Sequence, residues 1–380
     1  MNVEIVPLRD LCEVRIGRTP SRSNQSFWGG PGVWITISEL NGGELRDSKE
    51  HISQLAIRDV MPPPVPAGTL LFSFKLSIGK MGVSAVPLYT NEAIAALPIR
   101  DPNRLDREYL RYALMATSGS VQANHAVLGA VLNKAKVEAL PIPVRPISEQ
   151  RRIVDLLSRA ENIVRMRREA EKKAKEIIPA LFLDMFGDPA RNPKGWGIES
   201  LAEVVAIESP LRTPNFMTEA TEVCIGPDSI ESMTGQLLSQ PTVGDIRPIS
   251  GKYRYRCRDV LYSKIRPALV KVALAPSDGY CSADMYPLRC GPKLQPEYLT
   301  QILLNQHFTR YALDRATRAQ MPKINREALF AYRLPVPPID LQESFARHCQ
   351  GYMGVREQQR RGLGVSELGF QSLLSGVFGE

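Results

Sequence analysis

"LPIPVRPISEQRRIVDLL" (140–157) and "LPVPPIDLQ" (334–342) decide how this chain is organised. Each begins with prolines alternating with apolar residues and then passes into a run with helical spacing. Pro141, Pro143 and Pro146 forbid helix across 141–146, because proline lacks the amide donor and clashes with the preceding turn. Ser148 then offers an N-cap just ahead of Glu149 and Gln150, and a long helical pattern follows. The two junctions lie roughly 190 residues apart in a chain of 380, which is too long a period for a solenoid repeat. The chain is a duplicated two-part unit.

Other stretches repeat in the same order and at nearly the same offset. "DLCEV" (10–14) lies against "SLAEV" (200–204), and "REYLRYAL" (107–114) against "PEYLTQIL" (296–303). "GTLLFSFK" (68–75) matches "RDVLYSKI" (258–265), with Ser73 against Ser263. "LFLDMFGD" (181–188) matches "LLSGVFGE" (373–380). Each copy therefore runs through a long mixed segment, a proline-rich junction and a helical segment ending in Phe-Gly-acid.

The mixed segments hold short β-type runs such as "GVWITIS" (32–38), "TLLFSF" (69–74) and "VLYSKI" (260–265), set between glycine and proline punctuation. "DREYLRYALMAT" and "PEYLTQILLNQHF" read as amphipathic helices. The expected class is α+β: two mixed α/β domains separated by two long antiparallel helices, with an internal pseudo-two-fold repeat. The expected segments are 1–147, 148–185, 186–338 and 339–380.

From Ile153 the apolar positions run Ile153, Leu157, Ala160, Val164, Ala170, Ala174, Ile178, Leu181, a spacing near 3.5, as in a coiled-coil seam. A helix of ~30 residues would be ~45 Å long. Pro179 is a candidate kink. The second helical copy keeps Phe345, Cys349, Tyr352, Val355, Leu363, Leu373, Val377 and Phe378. Gly351, Gly354, Gly362, Gly364 and Gly369 interrupt it, so it is expected to be less regular. An ordinary pair of core helices fits the pattern too. The rod between domains is favoured because each copy follows a domain-sized segment through a proline hinge.

Composition narrows the function. The chain is 43% hydrophobic and 23% charged, with net charge +8. That is a globular balance with a moderate bias toward a polyanionic partner. No apolar run reaches the ~20 residues of a membrane span, and "MNVEIVPLRDL" does not read as a signal peptide. Cys12, Cys224, Cys257, Cys281, Cys290 and Cys349 form no CxxC pair and read as reduced thiols of a cytoplasmic protein. His51, His125, His307 and His348 are equally dispersed, so no metal site is expected. There is no Walker loop, no G-x-G-x-x-G fingerprint and no Ser/His/Asp or Cys/His signature. No cofactor and no catalytic residue is expected; the chain reads as a binder.

Basic and aromatic residues cluster in both mixed segments. The first holds Arg15, Arg18, Arg22, Trp28, Lys75 and Lys80. The second holds Arg247, Lys252, Tyr253, Arg254, Tyr255, Arg256, Lys264, Arg266 and Lys271. Arg and Lys neutralise phosphates, and Ser, Asn, Gln and Arg also read base edges. "RTPSRSNQ" (18–25) is rich in both kinds. A solvated surface loop would look the same, and residue types alone do not separate the two.

Six blocks together resemble the specificity subunit of type I restriction–modification systems. They are "GRTPSRSNQSFWGGPGVWITISEL" (17–40), "PAGTLLFSFKLSIGKMG" (66–82), "LPIPVRPISEQRRIVDLL" (140–157), "LFLDMFGDPARNPKGW" (181–196), "RDVLYSKIRPALVKVA" (258–273) and "LPVPPIDLQESFA" (334–346). The resemblance runs along essentially the whole chain. It implies two target-recognition domains, each reading one half of a split double-stranded DNA site. It implies that the helices beginning near Ser148 and Leu341 form a spacer and dock two modification (methyltransferase) subunits, and through them the restriction (motor-nuclease) subunits. The chemistry it implies, adenine N6 methylation with S-adenosylmethionine, belongs to a partner.

The candidate DNA contacts are Arg18, Ser21, Arg22, Asn24, Gln25, Lys75, Lys80, Arg254, Arg256, Lys264, Arg266 and Lys271. Phe27 and Trp28 are expected to anchor the loop. The candidate spacer and docking residues are Ile153, Leu157, Val164, Ile178, Phe345, Tyr352 and Leu373. The second domain has no clear copy of the "TPSRSNQ…WGG" block; "SPLRTPNF" (209–216) is the nearest. Two other functions stay open at this level: a nuclease or methyltransferase with an unrecognised site, and an assembly scaffold that never reads DNA.

Overall fold

The structure, a computed structural model, describes residues 3–128, 132–316 and 320–379; of 118–128 it describes the backbone. The chain divides into two compact units. One comprises Met1–Arg167 with Gly362–Glu380, the other Arg168–Arg361. It is a mixed helix and sheet protein, as the α+β reading expects.

In the first unit a five-stranded sheet runs in the order Arg15–Ile16, Ile94–Leu97, Leu70–Ser73, Met81–Ser84, Glu44–Leu45. The strand Leu70–Ser73 is buried at every position. Side chains alternate faces along a strand, so it feeds two cores. Leu70 and Phe72 pack with Tyr109 and Leu110 of the helix Arg107–Leu128. Leu71 packs on the other side with Ile35, Ile37 and Ile94. A smaller sheet, Glu50–Ile52, Trp28–Ile35, Tyr89–Thr90, carries the candidate loop.

The second unit repeats this plan. Its first sheet has the order Val205–Ala206, Met285–Cys290, Val260–Ser263, Val272–Leu274. Val260 and Tyr262 pack with Tyr298 and Leu299 of the helix Pro296–Leu304, while Leu261 faces Ile225 and Ile230. The second sheet is ordered Leu211–Arg212, Lys252–Tyr255, Gly279–Ser282, Val223–Ile225.

The proline junctions are strands of two-stranded ribbons. Pro141–Val144 pairs antiparallel with Glu4–Pro7, and Arg333–Val336 with Gly197–Ser200. Proline is tolerated there because a ribbon edge leaves positions where no amide donor is needed. Each junction strand is held to the domain helix that precedes it by a tyrosine: Tyr109 donates to the carbonyl of Pro143, and Tyr298 to that of Pro335, each at 2.8 Å.

The long helices are Ile147–Phe186 and Ile339–Phe378, each of 40 residues and so ~60 Å long. Within each unit they run antiparallel. In the first, Leu157 and Val164 share a core with Leu363, Phe370 and Leu374. In the second, the Phe345 ring lies 5.8 Å from Phe182 and 5.3 Å from Phe186, and the Tyr352 hydroxyl donates to the carbonyl of Ala174. Pro179 lies inside the first helix without ending it.

Three expectations about these helices need correction. The second helix is unbroken despite its glycines. Each glycine costs about 1 kcal/mol relative to alanine, but burial of Phe345, Cys349, Leu363, Phe370 and Leu374 along one face supplies the tertiary packing on which helices mostly depend. Leu373 is not a seam residue: it is 37% exposed, and its neighbour Leu374 at 3% takes the place. Val355 and Ala170 also face outward. A period of 3.6 rather than 3.5 moves the buried stripe by one position over such a length.

Candidate nucleic-acid interface

The loop 17–27 of the first unit is fastened at its base and exposed at its tip. Gly17 sits so close to Thr90 that a Cβ would lie 2.1 Å from the Thr90 carbonyl oxygen, so only glycine fits there. Two indoles then pin the loop: Trp34 Nε1 donates to the Arg18 carbonyl at 3.0 Å and Trp28 Nε1 to the Ser21 carbonyl at 3.2 Å. Phe27 and Trp28 are half-buried against Trp34 and Ile52. Asn24 caps the short helix Gln25–Phe27, accepting from the Ser26 amide at 3.2 Å. This leaves Arg18, Ser21, Arg22, Asn24 and Gln25 exposed on one loop. Arg18 donates to the Val60 carbonyl at 3.3 Å, and the Ser21 hydroxyl bonds that of Ser23 at 2.8 Å.

Arg22 is the most constrained of these. Its guanidinium lies 4.2 Å from the centre of the Trp28 ring and 5.1 Å from that of Trp34, and the two rings meet edge-on at 5.1 Å. Both Nη1 and Nη2 donate to the Glu50 carboxylate, Nη2 at 2.9 Å. The hydrogen bond from Arg22 holds Glu50 below the usual carboxylate range. The same bond holds Arg22 above its ordinary value. Trp28, Gly29, Gly30, Lys49, Glu50 and His51 line a shallow groove of about 520 Å³ beside it.

Lys75 and Lys80 flank the turn between Leu70–Ser73 and Met81–Ser84. The Ser73 hydroxyl closes this turn, donating to the Ser77 carbonyl at 2.5 Å and accepting from the Lys80 amide at 2.9 Å. The Lys75 ammonium lies 5.4 Å from the Phe74 ring centre. It also helps hold Glu92 below the usual carboxylate range, after the larger effect of the hydrogen bond from Thr19. Leu76 at the tip of the turn has φ of 58° and is 93% exposed.

In the second unit the Ser263 hydroxyl donates to the Ile265 carbonyl at 3.2 Å, and the Lys264 ammonium lies 5.1 Å from the Tyr286 ring centre. Arg266 is exposed, at φ of 46°. Arg256 is exposed just past the strand Lys252–Tyr255. Lys271 departs from its expected place at the surface: its side chain is 15% exposed, and its ammonium donates to the Pro227 carbonyl at 2.7 Å, with Asp228 at 3.7 Å. A carbonyl and a carboxylate satisfy it internally.

Arg254 brings in residues the sequence reading missed. Its Nη1 donates to the Tyr280 hydroxyl at 3.0 Å, and its guanidinium lies 5.3 Å from the Tyr280 ring centre. Arg212 lies over the same ring at 4.9 Å, and the Glu219 carboxylate pairs with both arginines. A backbone hydrogen bond from Asn215, the largest cause, and Arg212 keep Glu219 below the usual range. "SPLRTPNF" was the only local signal for Arg212. Glu50, Glu219 and Tyr280 have none, since they reach their partners from distant positions.

Of the helix residues, Leu157, Val164 and Phe345 are buried, and Ile153, Ile178 and Tyr352 half-buried. In the second unit Ile178, Phe182, Leu304, Cys349 and Tyr352 line an apolar cavity of about 450 Å³ with Lys175 and Arg356 at its edge. Among the described residues no His, Cys, Asp or Glu cluster could hold a metal ion, and no helix is long and apolar enough to cross a membrane.

Residues 1–176 match the family of the type I restriction modification DNA specificity domain. The EcoDI type I restriction enzyme specificity subunit of Escherichia coli is 33% identical over 158 residues, 42% of this chain and 35% of that protein. The MjaIX type I restriction enzyme specificity subunit of Methanocaldococcus jannaschii is 25% identical over 236 residues, 56% of this chain and 53% of that protein. The matches thus span about half or less of the length of these relatives. The fold is similar to that of the type I restriction-modification S subunit of M. genitalium, with TM-score 0.60 and 12% identity over 100% of this chain and 97% of that one. A chain from a structure addressing complex assembly and conformational transition of the type I R-M system gives 0.58 and 18% over 99% and 97%.

Proposed function

We propose that this chain, whose residues 1–176 belong to the type I restriction modification DNA specificity domain family, is the DNA-reading specificity subunit of a type I restriction–modification complex. The observation that carries the reading is a chemical motif found in each unit. Exposed arginine lies over an aromatic ring beside a carboxylate, at Arg22–Trp28–Glu50 and at Arg254–Tyr280, where Glu222 and Glu219 lie 3.4 and 3.8 Å from the guanidinium. A lysine lies over a ring shortly after a buried serine, two residues past Ser73 at Lys75 and one past Ser263 at Lys264. Fixed arginine donors and lysine charges at the surface of two separate units suit DNA, with base edges to accept hydrogen bonds and a polyanionic backbone, read at two places.

In this reading each unit recognises one half of a bipartite target. The long helices serve as spacer and as the surface for two modification subunits, through which restriction subunits attach. Methyl transfer is then the partner's chemistry, and flipping the target base out of the duplex is its task. Purified chain alone is expected to leave DNA unmodified and uncut.

The test is an exchange of segments. Residues 1–147 are replaced by the equivalent segment of a relative with a different target, and DNA from cells carrying the complete system is sequenced for methylation. One half-site is expected to change and the other to stay. A change in both half-sites together overturns the two-reader assignment.

A further inference from the structure

We propose that Arg22 reads a guanine in the half-site of the first unit, with Glu50 and Trp28 as its positioning residues. The inference deepens the DNA-reading function and rests on it. Arginine carries five N–H donors in a planar fork. Glu50 takes one from each terminal nitrogen, and the Arg22 side chain makes no other hydrogen bond among the described residues. The edge formed by Nε and a terminal nitrogen is left with two parallel donors, the pattern that matches O6 and N7 of guanine in the major groove.

The surroundings favour a base edge over a phosphate. Trp28 supports the guanidinium plane at 4.2 Å, which fixes the direction of the remaining donors and reduces the side-chain entropy lost on contact. Arg22 and Glu50 are both open to solvent, at 54% and 44% of their side-chain surface. The Glu50 charge beside Arg22 repels a backbone phosphodiester oxygen, whereas a guanine edge is neutral and offers acceptors. An arginine meant for the backbone would be better placed without a carboxylate. Lys75, whose described contact is a ring, is the opposite case.

The second unit gives an independent instance of the same chemistry. There the Glu219 carboxylate, only 17% exposed, pairs with Arg212 and Arg254, whose guanidinium groups lie 4.9 and 5.3 Å from the Tyr280 ring centre.

The test compares Arg22→Ala, Arg22→Gln and Glu50→Gln by methylation sequencing of DNA from cells carrying the complete system. The expected result is loss of a single G·C requirement in one half-site, with the other half-site unchanged. Discrimination at that pair should fall by roughly 5- to 160-fold, the equivalent of about 1–3 kcal/mol for a bidentate base contact. Arg22→Gln is expected to move the preference toward A·T, because a side-chain amide matches adenine. Glu50→Gln should relax the same position and no other.

An unchanged motif in Arg22→Ala, or a uniform fall in methylation with the motif intact, overturns the proposal; the second result marks a phosphate contact. Loss of all methylation in both Arg22 variants also overturns it, since Arg22 would then only hold the loop together. If wild type yields no bipartite motif at all, the DNA-reading function fails instead.

Discussion

Gln150 and Gln342 make the same three hydrogen bonds, one in each unit. Gln150 Oε1 accepts from the Asp106 amide at 2.9 Å, and its Nε2 donates to the carbonyls of Arg104 and Arg145 at 2.8 and 2.7 Å. Gln342 does the same with the Gln295 amide at 2.9 Å and the carbonyls of Lys293 and Pro337 at 3.0 and 2.8 Å. Both side chains are fully buried. Each glutamine ties the loop before the domain helix to the start of its long helix.

Removing either amide leaves three backbone groups, most of them part-buried, without their side-chain partner, at about 1–3 kcal/mol for each group left unsatisfied. Gln150→Ala and Gln342→Ala are each expected to lower stability by about 3 kcal/mol or more. Urea unfolding of the full chain checks this, with the exposed Arg151→Ala as control at under ~0.5 kcal/mol. A glutamine variant no weaker than that control would show that water replaces these bonds.

Glu161 sets an acid limit on the first unit. It accepts from Arg111 Nη1 and Nη2 at 3.1 and 2.7 Å and from the Tyr112 hydroxyl at 2.8 Å. Burial is the largest influence and raises its pKa, but the bonds and charge of Arg111 together outweigh it, so the net shift is downward. A folded pKa below the unfolded value of about 4.3 means that the contribution is present above that value. It is lost as pH falls through the folded pKa. The urea midpoint should drop on going from about pH 6 to about pH 3, and Glu161→Gln should drop less over the same range. Parallel profiles for the two proteins would assign the acid limit elsewhere.

Leu373 and Leu374 separate the two faces of the second long helix. Leu374, 3% exposed, packs with Leu157 and Phe370. Leu374→Ala is expected to cost about 2–5 kcal/mol, and Leu373→Ala less than about 1 kcal/mol. Thermal unfolding of the two variants decides it, and equal losses would contradict the buried stripe seen here.

Much of the framework is visible in the chain because it depends on local chemistry. Prolines at 141, 143 and 146 exclude helix wherever they fall, and Gln150 and Gln342 occupy matching places in the quoted junctions. The turn serines Ser73 and Ser263 also stand at matched positions, and both are buried with their hydroxyls turned to nearby carbonyls. What escapes reading is what the fold brings from afar. Glu50 lies 28 residues from Arg22, and Tyr280 lies 26 from Arg254 and 68 from Arg212. Lys271 looks like its surface neighbours in sequence, and only the Pro227 carbonyl, 44 residues away, turns it inward. The glycines of the second helix mislead because propensity is local and the apolar face that outweighs it is not.

Those glycines yield a further test. Gly351, Gly354, Gly364 and Gly369 lie within the helix, and a Cβ at any of them would meet nothing within 4 Å. Alanine at each should stabilise the chain by about 0.5–1 kcal/mol, additively for the sites that lie more than a turn apart along the helix. Thermal unfolding of the single and fourfold variants measures it. A fourfold variant no more stable than wild type would mean that the helix ends, not its middle, limit stability.

Lys75 and Lys264 provide the test of the electrostatic half of DNA binding. Each follows a buried serine at the end of a central strand, and each holds its ammonium near an aromatic ring, Phe74 and Tyr286 respectively. The ring steadies the charge without neutralising it, so the ammonium stays available to a phosphate. A phosphate contact releases condensed counterions from the duplex and contributes about 0.9 to the slope of log K against log salt. Lys75→Ala and Lys264→Ala are each expected to reduce that slope by about one, and the double variant by about two, with specific and non-specific duplexes weakened alike. Arg22→Ala should differ: its loss would fall on the cognate sequence and leave the slope nearly unchanged. Binding titrations of the full complex from about 50 to 200 mM salt measure the four variants and wild type in one series. If the lysine variants keep the wild-type slope, both residues are surface lysines near a strand end and the phosphate contacts lie elsewhere.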